Sequence, residues 1–297
     1  MADPRLYQIC TLASLLAYGM GRLDFDITFP RAALLLATVL ATQLFCDRLV
    51  GGPPFSLSAR SALISGLSLC LLLRTNRDEL AVLAAVITIA SKSLVRVRGK
   101  HVFNPTNGGI VAMLLLTNQV WVSPGQWGAA AAFGFLMACA GLLVVNRSAR
   151  CDVSLAFLTF YGALLVGRST YLGEPFTIPF HRLQSGALLL FTFFMISDPK
   201  TTPDSRIGRV LFSALVAFGA WYVQFRLFRT NGLLWSLAAC SALVPLIDRF
   251  EPGVRYTWPV MRLSRAAAAA RQTAPGLERW STSAKTRASR PLMESRT

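Results

Sequence analysis

The chain is poor in charge. Only 15% of its 297 residues are Asp, Glu, Lys or Arg, where a soluble domain carries about 25%. The acids are the scarcer sign, 14 against 30 Lys+Arg, for a net charge of +16. No Asp/Glu chain runs through the apolar segments, which argues against a dedicated proton relay. Only two histidines are present, His101 and His181. They fall on opposite faces of the expected topology, so a bis-histidine haem is not expected. The six cysteines (Cys10, Cys46, Cys70, Cys139, Cys151, Cys240) include no CxxC pair. That argues against an iron–sulfur cluster held by this chain alone and against a disulfide scaffold. Walker, Rossmann, Ser-His-Asp and metal-ligand patterns are missing as well.

What the chain has instead is oil. It is 54% hydrophobic with a mean hydropathy of +0.49, and long continuous apolar runs recur along most of it. Continuous rather than alternating runs indicate helices in a bilayer, not a barrel. The fold class expected is an all-α polytopic membrane protein. Ten spans are read at about 7–21, 31–47, 61–75, 79–95, 105–121, 126–145, 152–168, 182–197, 207–226 and 232–248. No cleavable leader is expected, since only Arg5 precedes the first run and no small-residue cleavage site follows it. The basic balance reads as loops and a tail lying against an anionic leaflet, not as a nucleic-acid surface.

Two spans, 61–75 and 182–197, are short for a bilayer that needs about 20 residues. They also resemble each other, aligning on Ser65-Gly66 and Ser185-Gly186. Farther along, Thr106-Asn107-Gly108 matches Thr230-Asn231-Gly232 in the same order. The pattern predicts two five-helix halves, residues 1–121 and 122–250, in opposite orientation because five is odd. Residues 251–297 form a basic tail, partly disordered, that holds ten Lys/Arg from Arg249 onward against three Glu. Twelve Lys/Arg fall in the short segments on the side of the chain ends and eight on the other. Both termini are therefore expected in the cytoplasm of a bacterial inner membrane.

The segment "KHVFNPTNGGIVAMLLL", 100–116, places helix breakers at the mouth of an apolar helix. Asn104 before Pro105 is turned away from helical geometry, and Pro105 suits a first helical position. Asn107, Gly108 and the next glycine open a helix start whose free N–H groups suit a phosphate or an electron-rich ring edge. Ser185 and Gly186 open a second such start after a basic pair. Asp198 and Thr201 sit in the turn that ends that span. Together Asn104, Pro105, Asn107, Gly108, Ser185, Gly186, Asp198 and Thr201 are the expected lining of a ligand pocket. Helix capping and small-residue packing would account for the same residues without a ligand. Lys92 in "TIASKSLV" either snorkels or faces a cavity. Asp248 is read as a partner of Arg249.

Taken in order, "GKHVFNPTNGGIVAMLLL", "SGALLLFTFFMISDPKTTPDSRIGR" and "GLLWSLAACSALVPLIDRF" resemble the RnfD/NqrB family, membrane flavoproteins of the Rnf electron-transport complex and of the sodium-translocating NADH:quinone reductase. The resemblance covers roughly 60–250. Short stand-alone members, some encoded beside enediyne biosynthesis genes, are similar in length and wording. The resemblance implies ten helices in two inverted halves, an electron-transport role beside other redox subunits, and an FMN esterified to the threonine of Ser-Gly-Ala-Thr. Here that position is Leu188, which has no hydroxyl. The expectation is therefore no covalent FMN, with room left for a non-covalent FMN or riboflavin. A transporter or channel for a small polar solute and a non-redox membrane scaffold remain alternatives.

Overall fold

In a computed structural model the protein is described over residues 3–50, 55–123, 139–146 and 149–257. Most of the expected span 126–145 and the tail beyond 257 lie outside the described residues. Twelve helices are described: α1 (Pro4–Arg22), α2 (Phe29–Val50), α3 (Phe55–Leu72), α4 (Asp78–Leu94), α5 (Pro105–Leu116), α6 (139–146), α7 (Cys151–Leu172), α8 (Thr177–Leu183), α9 (Gly186–Leu190), α10 (Arg206–Phe225), α11 (Gly232–Ser241) and α12 (Val244–Phe250). One turn of π-helix, Phe191–Met195, continues α9.

Among the described residues α2, α7 and α10 are long and apolar enough to cross a membrane, and α11 with α12, bent by 47°, makes a fourth. The apolar window of α2 is only 17% buried within the protein. A helix so apolar and so little covered needs a non-aqueous exterior.

Local sequence sets where the helices begin and end. Asp3, Asn104 and Ser205 each cap a helix by accepting from a first-turn backbone N–H: Arg5 N at 3.1 Å, Asn107 N at 3.1 Å and Gly208 N at 2.9 Å. Pro4 and Pro105 occupy the first turn, where no N–H is needed. α7 stops at Gly173, in the left-handed region at φ +68°.

Two small antiparallel sheets join the loops. β1 (Leu73–Thr75) pairs with β4 (Val120–Val122), tying the exit of α3 to the exit of α5. β2 (Arg96–Val97) and β3 (Lys100–His101) form a hairpin around Arg98 and Gly99, both at positive φ.

The helices pack in a chain of pairs, α1 on α3, α2 on α3 and α4, α4 on α5, then α7 on α10 and α10 on α11. Small residues allow the close approaches. A Cβ on Gly109 would run into the Thr88 side chain of α4, and one on Gly219 into Ser236 of α11. The core runs through Leu69, Ile89, Ile110, Phe157, Phe191, Phe212 and Val216.

Candidate functional site at the start of the fifth helix

Asn104 does more than cap α5. While its Oδ1 accepts from Asn107 N, its Nδ2 donates to Met195 O at 3.3 Å and to Asp198 Oδ2 at 3.4 Å. Asn107, fully buried, donates from Nδ2 to Leu234 O of α11 at 3.2 Å. Its Oδ1 has no hydrogen-bond partner among the described residues. Thr106 Oγ1 donates to Ser65 O of α3 at 3.4 Å. Three polar side chains around Pro105 thus tie the start of one 12-residue helix to α3, to the π-turn and to α11.

Asp198 closes the other side. Its Oδ1 accepts from Lys200 N at 3.0 Å, and its backbone carbonyl accepts from the N–H groups of Thr201 and Thr202. Burial raises its carboxyl above the ordinary carboxylate value, the backbone bond from Lys200 and the nearby cations acting in the opposite sense. Thr202 Oγ1 accepts from Arg150 Nε at 3.1 Å, and the guanidinium carbon of Arg150 lies 5.1 Å from the Tyr256 ring centre.

Of the residues singled out in the sequence, Asn104, Pro105, Asn107, Asp198 and Thr201 meet at this junction. Ser185 and Gly186 do not join them. They begin the α9–π segment whose far end, Met195, touches Asn104, about 15 Å away at 1.5 Å per residue. Ser185 makes no capping bond with its side chain. A Cβ on Gly108 would lie 3.2 Å from Phe103 Cβ, so the more crowded glycine is its neighbour Gly109.

Beside the junction lies a cleft of about 320 Å³, lined among others by Val97, Lys100, His101, Asp204, Val244 and Asp248. Lys100 Nζ bonds Asp248 Oδ2 at 2.7 Å and Asp204 Oδ1 at 3.0 Å, and Asp204 N donates to Asp248 Oδ1 at 2.8 Å. Asp248 is thus held by Lys100 rather than by its neighbour Arg249. The reason is reach across the fold: the hairpin carries Lys100 to the end of α12, whereas Arg249 points out into exposed surface. This triad was invisible in sequence because its members lie more than 40 residues apart. Burial, with the charges of Arg96 and Lys92 beside it, pushes the His101 imidazole down to about 3, and His101 Nδ1 has no partner among the described residues.

Lys92 neither snorkels nor stands alone. Its Nζ donates to Gln43 Oε1 at 2.8 Å, Gln43 Nε2 donates to Asp47 Oδ1 at 2.8 Å, and Ser58 Oγ donates to Asp47 Oδ2. The described residues contain no cluster of three metal-ligating side chains. The junction offers neutral amides and one buried carboxyl, but no nucleophile paired with a base. Such a set can bind and orient a ligand; it is not equipped to break bonds by itself.

Apolar spans with unburied exteriors, half-helix starts and a buried polar junction define a helical membrane protein. Residues 115–256 belong to the NQR2, RnfD, RnfE family, whose profile they match. Three curated relatives are each described as the RnfD component of an ion-translocating oxidoreductase complex. The Tolumonas auensis protein is 37% identical over 81 residues, 27% of this chain and 23% of the relative. One from Yersinia pseudotuberculosis is 28% identical over 147 residues, 49% of this chain and 38% of the relative. That of Escherichia coli K12 is 25% identical over 133 residues, 45% and 34% respectively. The matches therefore take in well under half the length of these relatives.

Proposed function

We propose that this chain is an integral membrane subunit of an Rnf- or NQR-like electron-transport system, or a relative of one that has shed its covalent cofactor, working in a bacterial inner membrane beside other redox subunits. The observation that carries the reading is the buried Asn104–Asn107–Asp198 junction, formed where segments inside the family match meet the half-helix start that precedes it. The inverted repeat finds support in the packing. α2 touches α4 and α4 touches α5, as α7 touches α10 and α10 touches α11. In both sets a glycine on one helix lies against a hydroxyl residue on the next, Gly109 with Thr88 and Gly219 with Ser236.

The residues do not fit a covalent FMN. Leu188 is buried and has no hydroxyl. Thr192, one turn on, is fully buried and its hydroxyl donates to Leu188 O at 2.7 Å. A non-covalent FMN or riboflavin would supply one-electron transfer. The residues available to hold it are Asn104 and Asn107, whose free Oδ1 suits a ring N–H.

Purification in mild detergent tests both parts. The expected result is a flavin released by denaturation, no flavin-sized increment on the intact mass, and co-purifying redox subunits. A preparation that yields no flavin sinks the cofactor reading. One that co-purifies no redox protein sinks the complex. The 47° break between α11 and α12 also suits a transporter of a small polar solute, and uptake by proteoliposomes of the colourless protein would favour that alternative.

A further inference from the structure

The geometry points to a second binding site, for the phosphate of an anionic phospholipid headgroup, at Arg168, Arg182 and Arg226 around the end of α10. Helix α10 is 20 residues long, so Phe225 at its end lies about 30 Å from Arg206 at its start. The site is therefore remote from the Asn104–Asp198 junction and independent of the function proposed above.

Three guanidiniums gather there on two rings. The carbon of Arg168 lies 4.5 Å, and that of Arg182 5.0 Å, from the centre of the same Phe225 ring. Arg226 lies 5.8 Å from the ring centre of Trp221, which packs against Phe225 with centres 6.3 Å apart. Like charges repel at such spacings unless something compensates them. The compensation within the described residues is a single carboxylate. Glu174 takes Arg168 Nη1 on both oxygens at 2.9 Å and Ser169 Oγ at 3.2 Å. Arg182 and Arg226 pair with no carboxylate among the described residues. The Trp221 Nε1 donor, buried in the same cluster, also has no partner there. Ring faces hold the guanidiniums flat and leave their N–H edges free. What is missing is an acceptor with several oxygens, and a phosphate diester provides one.

The surroundings favour a lipid over a free ion. Tyr171, Phe176, Phe180 and Phe228 are exposed, Tyr171 by 88% and Phe228 by 84%. Short helix α8 carries Phe180 beside Arg182. Aromatic side chains of this kind beside cations mark the headgroup level of a bilayer.

The test uses the full chain in detergent, read by native mass spectrometry with phosphatidylglycerol or phosphatidylcholine added, and separately with inorganic phosphate. The wild type should retain phosphatidylglycerol at least fivefold over phosphatidylcholine, and Arg182→Gln should abolish that preference. Arg206→Gln, at the far end of α10, should leave it intact and serves as the folding and charge control. Equal retention of the two lipids, an Arg182→Gln variant that keeps the preference, or a preference lost equally in Arg206→Gln would each overturn the site. Binding of inorganic phosphate without lipid preference would overturn the lipid as its occupant.

Discussion

Each polar side chain around Pro105 has a task that substitution can separate. Asn104 both caps α5 and bridges to Asp198. Asn104→Ala removes both and should lower stability by about 1–3 kcal/mol, a cap alone being worth about 1. Asn104→Asp keeps a capping oxygen but sets it against the Asp198 carboxyl. If the bridge matters, thermal melting in detergent should place the Asp variant no higher than the Ala variant. If only the cap matters, Asp should restore the wild-type melting point. His101 gives a pH signature of definite sign. Its folded-state value, about 3, lies below the ordinary 6.5, so as pH falls the unfolded chain takes up a proton that the folded chain refuses. The stability is whole above about pH 6.5 and is lost as the pH falls from there towards 3. Between pH 7 and 5 the loss should be about 1–2 kcal/mol. His101→Gln should shrink that drop, read as the difference between melting points at the two pH values. Asp198, raised by burial, works in the opposite sense, and the comparison with the variant removes its contribution because Asp198 is present in both.

At the scale of elements, apolar runs announced nearly every described helix, because a span in lipid must satisfy its own backbone. Their ends were less legible. The run read as 61–75 begins at Phe55 and stops at Leu72, giving way to β1, a pairing that depends on β4 some 45 residues later. The run read as 182–197 divides into α8, α9 and a π-turn. A π-turn leaves no mark on hydrophobic period; it is set by the packing of Phe191, Phe193 and Phe194. Arg74 shows the same limit. In sequence it is a loop cation, yet it is 1% exposed and its Nη1 donates to Cys70 O at 2.8 Å and Leu73 O at 2.7 Å, with Nη2 to Leu71 O at 3.3 Å. It satisfies the carbonyls that end α3. Arg74→Leu should strip them of donors and lower stability by about 2 kcal/mol or more, visible as a lower melting point. The glycines make a paired forecast. Gly109→Ala drives a Cβ into Thr88 and should cost about 1–3 kcal/mol, while Gly108→Ala meets Phe103 at 3.2 Å and should cost less. Equal melting points for the two would mean that the α4–α5 contact is looser than described.

At the scale of the whole molecule, the arrangement of charge argues for which way the chain lies. The structure moves Arg5 and Arg74 out of the loops and into buried hydrogen-bond networks, Arg5 with Asp3 and Leu57 O, Arg74 with the end of α3. One belongs to each side of the proposed topology, so the excess of Lys/Arg on the side of the chain ends is unchanged. On that side Lys92, Arg96, Lys100, Arg150, Lys200 and Arg209 meet around the junction and the cleft, held by Gln43 or by backbone oxygens, or by Asp152, Asp204 and Asp248. The expectation is that both ends of this chain face the cytoplasm. A fluorescent protein that matures only in the cytoplasm, fused after Thr297, should be bright. Alkaline phosphatase at the same point should be inactive, whereas after Gln119, in the loop between α5 and β4, it should be active. The reverse pattern at both sites would invert the whole molecule in the membrane. Activity at both sites would remove the odd number of crossings from Gln119 to the end of the chain, and with it the inverted repeat.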